Sequence, residues 1–459
     1  MRLAPRSYKY VPLSLPFVNK ITRYGDIWAL IVLAVISLIF INPLRDIFFQ
    51  ADEWYLFGKV ISVDSCGAIC LIRPFSFHFV PLSWLIYFYA YKFFQLDVSP
   101  YIIFTCVLYV VNSLLMYSLC REFFSKKVSF ISTLFFLTYS QSSQVVTWIA
   151  ASLVGLPATF FLLFSLLLYR HSGVGISFRL IISYILLLLG LFLKEDVIIG
   201  AIIFFYYETF ISRDKTRSVM SVIFLFMYLF IRFGVVYFLF NNSVNLHFVS
   251  LSPLNVLKNL SNMPLSLISS FIFPDRDKLY FGQLLGDLLI TLKIIPSILI
   301  KNQALFNEYL AFYAISPLLG LIILFIVLVS KIKERLFAQR IIVSILISAV
   351  PYLFLPVNLR LESRHYYIAS IGMTLLLAIY MNEYMKRISY SSYIMCIGFF
   401  LIILRNILYF QNDIRFAVGI SKDLSSYIQA LAQASPFTTN KTIIVNIGDS
   451  PPLYSGVGY

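Results

Sequence analysis

The stretch IWALIVLAVISLIFINPLRDIFFQADEW, residues 27–54, decides the fold. Residues 27–43 form one apolar run, and a helix needs roughly 17–25 such residues to cross a bilayer. Directly after it comes Phe49-Gln50-Ala51-Asp52-Glu53-Trp54, two adjacent carboxylates between aromatic side chains. Acids are costly to hold at a membrane surface, so a pair placed there marks a candidate site.

The composition extends that reading to the whole chain. Of 459 residues, 60% are hydrophobic and 12% charged, where soluble proteins are about 25% charged. This is the profile of an integral membrane protein. The balance of 36 basic against 21 acidic residues gives +15. In a soluble chain that excess would suggest nucleic acid, but here the cations sit in short gaps between apolar runs. There is no basic–aromatic platform for nucleic acid, no Gly-rich phosphate loop and no Cys/His cluster of zinc type. The first apolar run is long and lacks a small-residue cleavage site, so it is expected to remain as a spanning helix. Cys66 and Cys70 share one loop; a bridge there, or two free thiols, are both open readings.

About eleven apolar runs qualify as spans: 27–43, 100–119, 128–140, 153–169, 178–193, 197–211, 219–240, 309–330, 341–356, 366–385 and 392–410. Every second gap is basic. Arg2, Arg6, Lys9, Lys20 and Arg23 precede the first span; Arg121, Lys126 and Lys127 follow the second. Arg170 and Arg179, then Arg213, Lys215 and Arg217, then Lys331, Lys333, Arg335 and Arg340, then Lys386 and Arg387 continue the alternation. Positive gaps face the cytoplasm, which puts the N-terminus inside. The other face then carries the long loops 44–99 and 241–308, the links 141–152, 194–196 and 357–365, and a tail from about 411. Asp52, Glu53, Glu195, Asp196, Asp275, Asp277 and Glu362 all fall on that outer face.

Within the first outer loop, HFVPLSWLIYFYAYKFFQ (78–95) is dense in Trp and Tyr and reads as a helix in the membrane surface. A shallow further span is the alternative. Residues 254–301 mix apolar turns with Asn, Lys and Asp, and breaks are expected at Pro264, Pro274 and Pro296. The tail reads as an amphipathic helix over 414–434 and a strand over 442–447. No linker or internal repeat divides the chain, so residues 1–410 read as one transmembrane module and 411–459 as a short extracytoplasmic tail.

Taken in order, these residues resemble the GT-C glycosyltransferases, which use a polyprenyl-phosphate sugar as donor. The similarity is to bacterial relatives of the protein O-mannosyltransferases and to the membrane half of the tetratricopeptide-bearing mannosyltransferases. It rests on Asp52-Glu53, on His78-Phe-Val-Pro81-Leu82, on Asn112, and on the run Ser143-Gln144-Val-Val-Thr-Trp148. Lys194-Glu195, Arg232 and Glu362-Ser-Arg364-His365-Tyr366-Tyr367 complete the set. Gln144 and Thr147 depart from the pattern by lacking an acid, and Asp196 stands where relatives have a small residue. The resemblance implies an all-α polytopic fold of GT-C type, with interfacial helices in the first outer loop.

The chemistry such a transfer needs assigns the residues. A base takes the proton from the attacking hydroxyl; Asp52 is the expected base, with an N-cap or a metal-binding acid as its other readings. Glu53 is a second acid, assisting a metal or solvated at the interface. Cations neutralise charge on the departing phosphate. Arg364 is the main expected ligand because a guanidinium fork matches phosphate oxygens, with Arg360, His365 and Lys194 beside it. His78, Glu195 and Arg232 are expected at the substrate pocket, although Lys194 and Glu195 could simply pair with each other. A metal is left open: Asp52 and Glu53 would point apart on a helix, and Mg²⁺ or Mn²⁺ would need further oxygens, from Glu195 or Asp196.

The expected activity is transfer of a sugar, with inversion, from a polyprenyl-phosphate donor to a hydroxyl of a glycan, lipid or protein. The setting is a bacterial inner membrane and cell-envelope glycans such as O-antigen or lipopolysaccharide. The alternatives are an O-antigen polymerase or ligase and a transporter or flippase for lipid-linked sugar. A transporter predicts repeat symmetry and polar groups at mid-membrane, whereas here the polar groups crowd one face.

Overall fold

The computed structural model describes residues 24–50, 53–54, 56–58, 60, 79–173, 175–235, 253–270, 272–292, 294, 302–329, 335–348, 366–386 and 390–434. Among them every regular element is helical. Six helices are long and apolar enough to cross a membrane: Gly25–Asp46, Val98–Arg121, Ile149–Arg170, Lys215–Gly234, Gln303–Val329 and Tyr393–Ser426. Each coincides with an expected span, so the chain is an α-helical polytopic membrane protein.

In chain order the helices are α1 (Tyr24–Ile41), α2 (Pro81–Phe94), α3 (Val98–Arg121), α4 (Lys126–Thr138), α5 (Ile149–Arg170), α6 (Phe178–Leu193) and α7 (Ile198–Tyr206). Then follow α8 (Lys215–Leu229), α9 (Pro253–Ser270), α10 (Asp275–Thr291), α11 (Ser316–Val329), α12 (Arg335–Ser348), α13 (Tyr366–Tyr384) and α14 (Tyr390–Ala434). The expected spans at 128–140, 178–193, 197–211, 341–356 and 366–385 are helical over most of their described residues but fall outside the six. The helix α4, for example, has 13 residues and α6 has 16.

Helix α13 shows why apolar length alone misses an interior helix. Of residues 366–381, only Gly372 and Leu375 are less than fully buried. A helix screened by neighbours on all sides need not be as apolar as one facing lipid. It therefore carries Tyr366, Tyr367, Ser370 and Thr374 in its packed interior. Helices α4 and α12 lie against it, and Asn112 of α3 donates to Leu156 O of α5 at 2.9 Å beside the Tyr367 hydroxyl.

At the end of the bundle that bears the basic gaps, several cations turn inward. Asp26 accepts from Tyr117 Oη at 2.6 Å and from Arg121 Nε at 3.0 Å, joining α1 to α3. Arg217 is buried, bonded to Gly175 O at 2.6 Å and to Glu208 at 3.2 Å. Glu208 also accepts from Tyr169 and Ser212. Arg217, in the first turn of α8, thus ties together the turns that follow α5 and α7. Gly173 and Gly175 take positive φ in the turn that brings this carbonyl to the arginine.

Two further expectations change. Pro264 does not break the chain but lies inside α9, whereas Pro274 does mark the start of α10. The tail from 411 is no separate helix: α14 runs unbroken for 45 residues from Tyr390. The expected strand at 442–447, together with Cys66, Cys70 and Pro296, lies outside the described residues.

Candidate functional site

The end opposite the basic gaps gathers the candidate residues. Segment 47–50 leaves the first span with Ile47 in extended backbone. Phe49 anchors it edge-on against Trp54, Phe57 and Tyr101, at 5.9, 5.0 and 5.3 Å between ring centroids.

Glu53 is 2% exposed, so it is not the solvated interfacial acid of one reading. Its Oε1 accepts from Ala150 N at 2.7 Å; its Oε2 accepts from Trp148 Nε1 at 3.1 Å and Gln50 N at 3.0 Å. Ala150 stands in the first turn of α5, whose N-cap Trp148 offers no side-chain acceptor. Free N–H groups and the positive end of the helix dipole favour an anion there. Glu53 supplies it from 97 residues away. Gln50 Nε2 returns a bond to Thr147 O at 3.2 Å, so the acid segment is docked from both sides. Burial pushes the Glu53 carboxyl up to about 7, against the surrounding N–H donors that favour its anion.

Helix α2 carries this junction to the next. It has a buried face of Ser83, Trp84 and Tyr87 and an exposed aromatic face of Tyr89 and Phe93. Tyr87 donates to Ala150 O at 2.5 Å, and one turn earlier Ser83 donates to Leu193 O at 2.7 Å. The Glu53 cap and the corner after α6 are thus neighbours along one face of α2.

At that corner Lys194 and Glu195 do not pair with each other. Lys194 has extended backbone, so successive side chains point to opposite sides. Lys194 pairs with Asp196, Nζ to Oδ2 at 3.1 Å. Glu195 points the other way, pairs with Arg232 and accepts from Phe79 N at 2.9 Å. Arg232 sits in a π-helical turn, Phe230–Val235, that continues α8. Its side chain is 16% exposed, so this intramembrane cation has an internal partner instead of snorkelling outward.

A second polar group straps α14 to the same end. Asp413 pairs with Arg276 and accepts from Ser143 Oγ at 2.8 Å. Asp277 accepts from Arg405 and from Tyr409, each at 2.8 Å. Ser140 donates to Asn406 Oδ1 at 2.9 Å. Sequence reasoning missed this strap, although Arg405 inside an expected span and Asp277 on the outer loop were its signal.

Of the expected site residues, the structure brings Glu53, Lys194, Glu195 and Arg232 to one end of the bundle. Asp52, His78, Arg360, Arg364 and His365 lie outside the described residues. Glu53, Glu195 and Asp196 are not gathered as metal ligands: among the described residues no three His, Cys, Asp or Glu side chains form a metal-sized group. What the arrangement offers is a rigid, charge-paired, aromatic-walled junction.

Comparison with protein-family models, with curated proteins and with solved structures gave no match.

Proposed function

We propose that this protein is a membrane glycosyltransferase of GT-C type, transferring a sugar with inversion from a polyprenyl-phosphate donor to an acceptor hydroxyl. The reaction takes place at the membrane face opposite the basic gaps, in the envelope of a bacterium. One observation supports the reading most. Four segments that carry the resemblance separately, at Glu53, Trp148, Lys194-Glu195 and Arg232, meet at one end of the bundle through hydrogen bonds and α2.

In this reading Asp52 is the base that takes the proton from the acceptor. Glu53 fixes the segment on which Asp52 stands, spending its lone pairs on N–H donors. Arg364, with Arg360 and His365, neutralises the leaving phosphate. Lys194 is a further cation for that phosphate, and Glu195 and Arg232 shape the adjoining pocket, with His78 at its edge.

The test is transfer from labelled polyprenyl-phosphate glucose, mannose and galactose to cell envelopes containing the protein. Asp52→Asn should cost roughly 10²–10⁴-fold in rate with donor binding little changed. Arg364→Ala should weaken binding and rate together, since ground and transition states both carry phosphate charge. A well-inserted Asp52→Asn that transfers sugar at the wild-type rate rejects the assignment.

A further inference from the structure

Not every cation at the basic end is spent inside the bundle. Asp26 holds Arg121, and Glu208 holds Arg217. Arg170, the last residue of α5, is exposed instead and lies over the Phe123 ring, 5.4 Å from its centroid. Among the described residues it meets no carboxylate. Lys127, four residues after Phe123, is exposed and equally without a carboxylate among the described residues. It stands in the first turn of α4, where a cation opposes the helix dipole, so the helix itself gives no reason for it. Arg179 joins this corner across the turn after α5, donating to His171 O at 3.1 Å. Glu122, between Arg170 and Lys127 in the fold, faces His171 at 3.6 Å.

The same corner leaves large apolar side chains uncovered. Phe123 is 41% exposed, Ile176 58% and Phe178 77%. Two of the long apolar helices, Val98–Arg121 and Ile149–Arg170, end here, so these residues stand at the level of the lipid headgroups. A partner must offer negative charge and apolar matter in one layer. A soluble anion covers only the cations, and a neutral lipid covers only Ile176 and Phe178. An anionic phospholipid does both, with phosphate for the cations and acyl chains for the apolar side chains. Stacking on Phe123 holds the Arg170 guanidinium in place while leaving its N–H fork for phosphate oxygens. We propose that this corner, formed by the turns 122–127 and 170–179, is a binding surface for anionic phospholipid. It lies at the end of the bundle opposite the candidate site and does not depend on the transferase reading.

The test is lipid binding by full-length protein in neutral detergent, read by native mass spectrometry with phosphatidylglycerol and phosphatidylcholine as probes. Arg170→Gln combined with Lys127→Gln removes two exposed cations, and without added lipid the melting temperature should match wild type. Phosphatidylglycerol should bind this variant about 30-fold more weakly, at roughly fivefold per cation near a headgroup layer, while phosphatidylcholine binds unchanged. Lys92→Gln removes an exposed cation that lies over Phe88 at the other end and should leave phosphatidylglycerol binding as it was. On wild-type protein, phosphatidylglycerol but not phosphatidylcholine should shield Lys127 from amine acylation, a readout that stands even if the double variant misfolds. Unchanged affinity in the double variant overturns the proposal, as does equal weakening in Lys92→Gln, or no shielding of Lys127. Displacement of the lipid by equimolar glycerol 3-phosphate would make this a simple anion site, and displacement by equimolar polyglutamate a protein contact; either result rejects the lipid surface.

Discussion

The carboxylate of Glu53 caps the helix that begins at Ile149, its Oε1 lying 2.7 Å from Ala150 N. The acid pair after the first span is therefore fastened to the third of the six long apolar helices by a contact that no local sequence pattern encodes. With both oxygens engaged and the side chain buried, Glu53 is placed to hold its segment against α5.

Glu53→Gln should destabilise the protein by about 1–3 kcal/mol, because the new amide turns N–H groups toward N–H donors. The pH dependence follows from the raised pKa. From its ordinary value of 4.5 the folded carboxyl rises to about 7, so the folded state holds its proton longer than the unfolded chain. Its contribution is full below pH 4.5 and is lost as pH rises through 7, a change of about 3 kcal/mol. Thermal unfolding in detergent should show this slope in wild type and a flattened one in Glu53→Gln. A slope of opposite sign would show that the carboxyl is instead held ionised.

Glu195→Gln keeps an acceptor for Phe79 N but leaves Arg232 buried against a neutral amide. A broken buried pair costs about 3–5 kcal/mol, reduced here by what remains around both groups. The double variant with Arg232→Gln should cost less than the sum of the singles by at least about 1 kcal/mol. Strict additivity in a double-mutant cycle would show that the pair carries no coupling.

The Arg217–Glu208 pair at the basic end should behave as structure alone. Arg217→Met strands a carboxylate that is 1% exposed and should cost about 3–5 kcal/mol. Glu208→Leu added to it should recover much of that loss. Sugar transfer per folded molecule should be unchanged in the double variant; a selective loss of rate would draw this end of the bundle into the mechanism.

Much of the fold was legible because lipid is an undemanding reader: it asks only for apolar length, and runs such as 27–43 and 392–410 supply it. Helix α13 was legible as an apolar run, but its central place was not, since Tyr366 and Ser370 are tolerated only because other helices surround them. The candidate site was legible as residue types and not as partners. Lys194 and Glu195, adjacent in sequence, invite pairing, yet extended backbone sends them apart and gives Lys194 to Asp196. Glu53 finds backbone and indole N–H groups about 95 residues on, and a backbone N–H leaves no mark in a sequence. Arg232 did announce itself, because a cation inside an apolar helix must find company.

The unbroken run of α14 has a mechanical consequence. At about 1.5 Å per residue its 45 residues reach about 68 Å, while the hydrocarbon core is about 30 Å thick. Less than half of the helix is needed to cross, and the remainder stands as a rod lashed near the top of the first span by Lys422 to Asp46 at 3.2 Å. A helical rod ties height to bearing: each residue inserted above that lashing lifts whatever follows by about 1.5 Å and swings it by about 100°. The last turn of α14 is thus set at a fixed elevation and compass direction above the junction. Insertions of seven residues, close to two full turns, would raise it while keeping it aimed the same way.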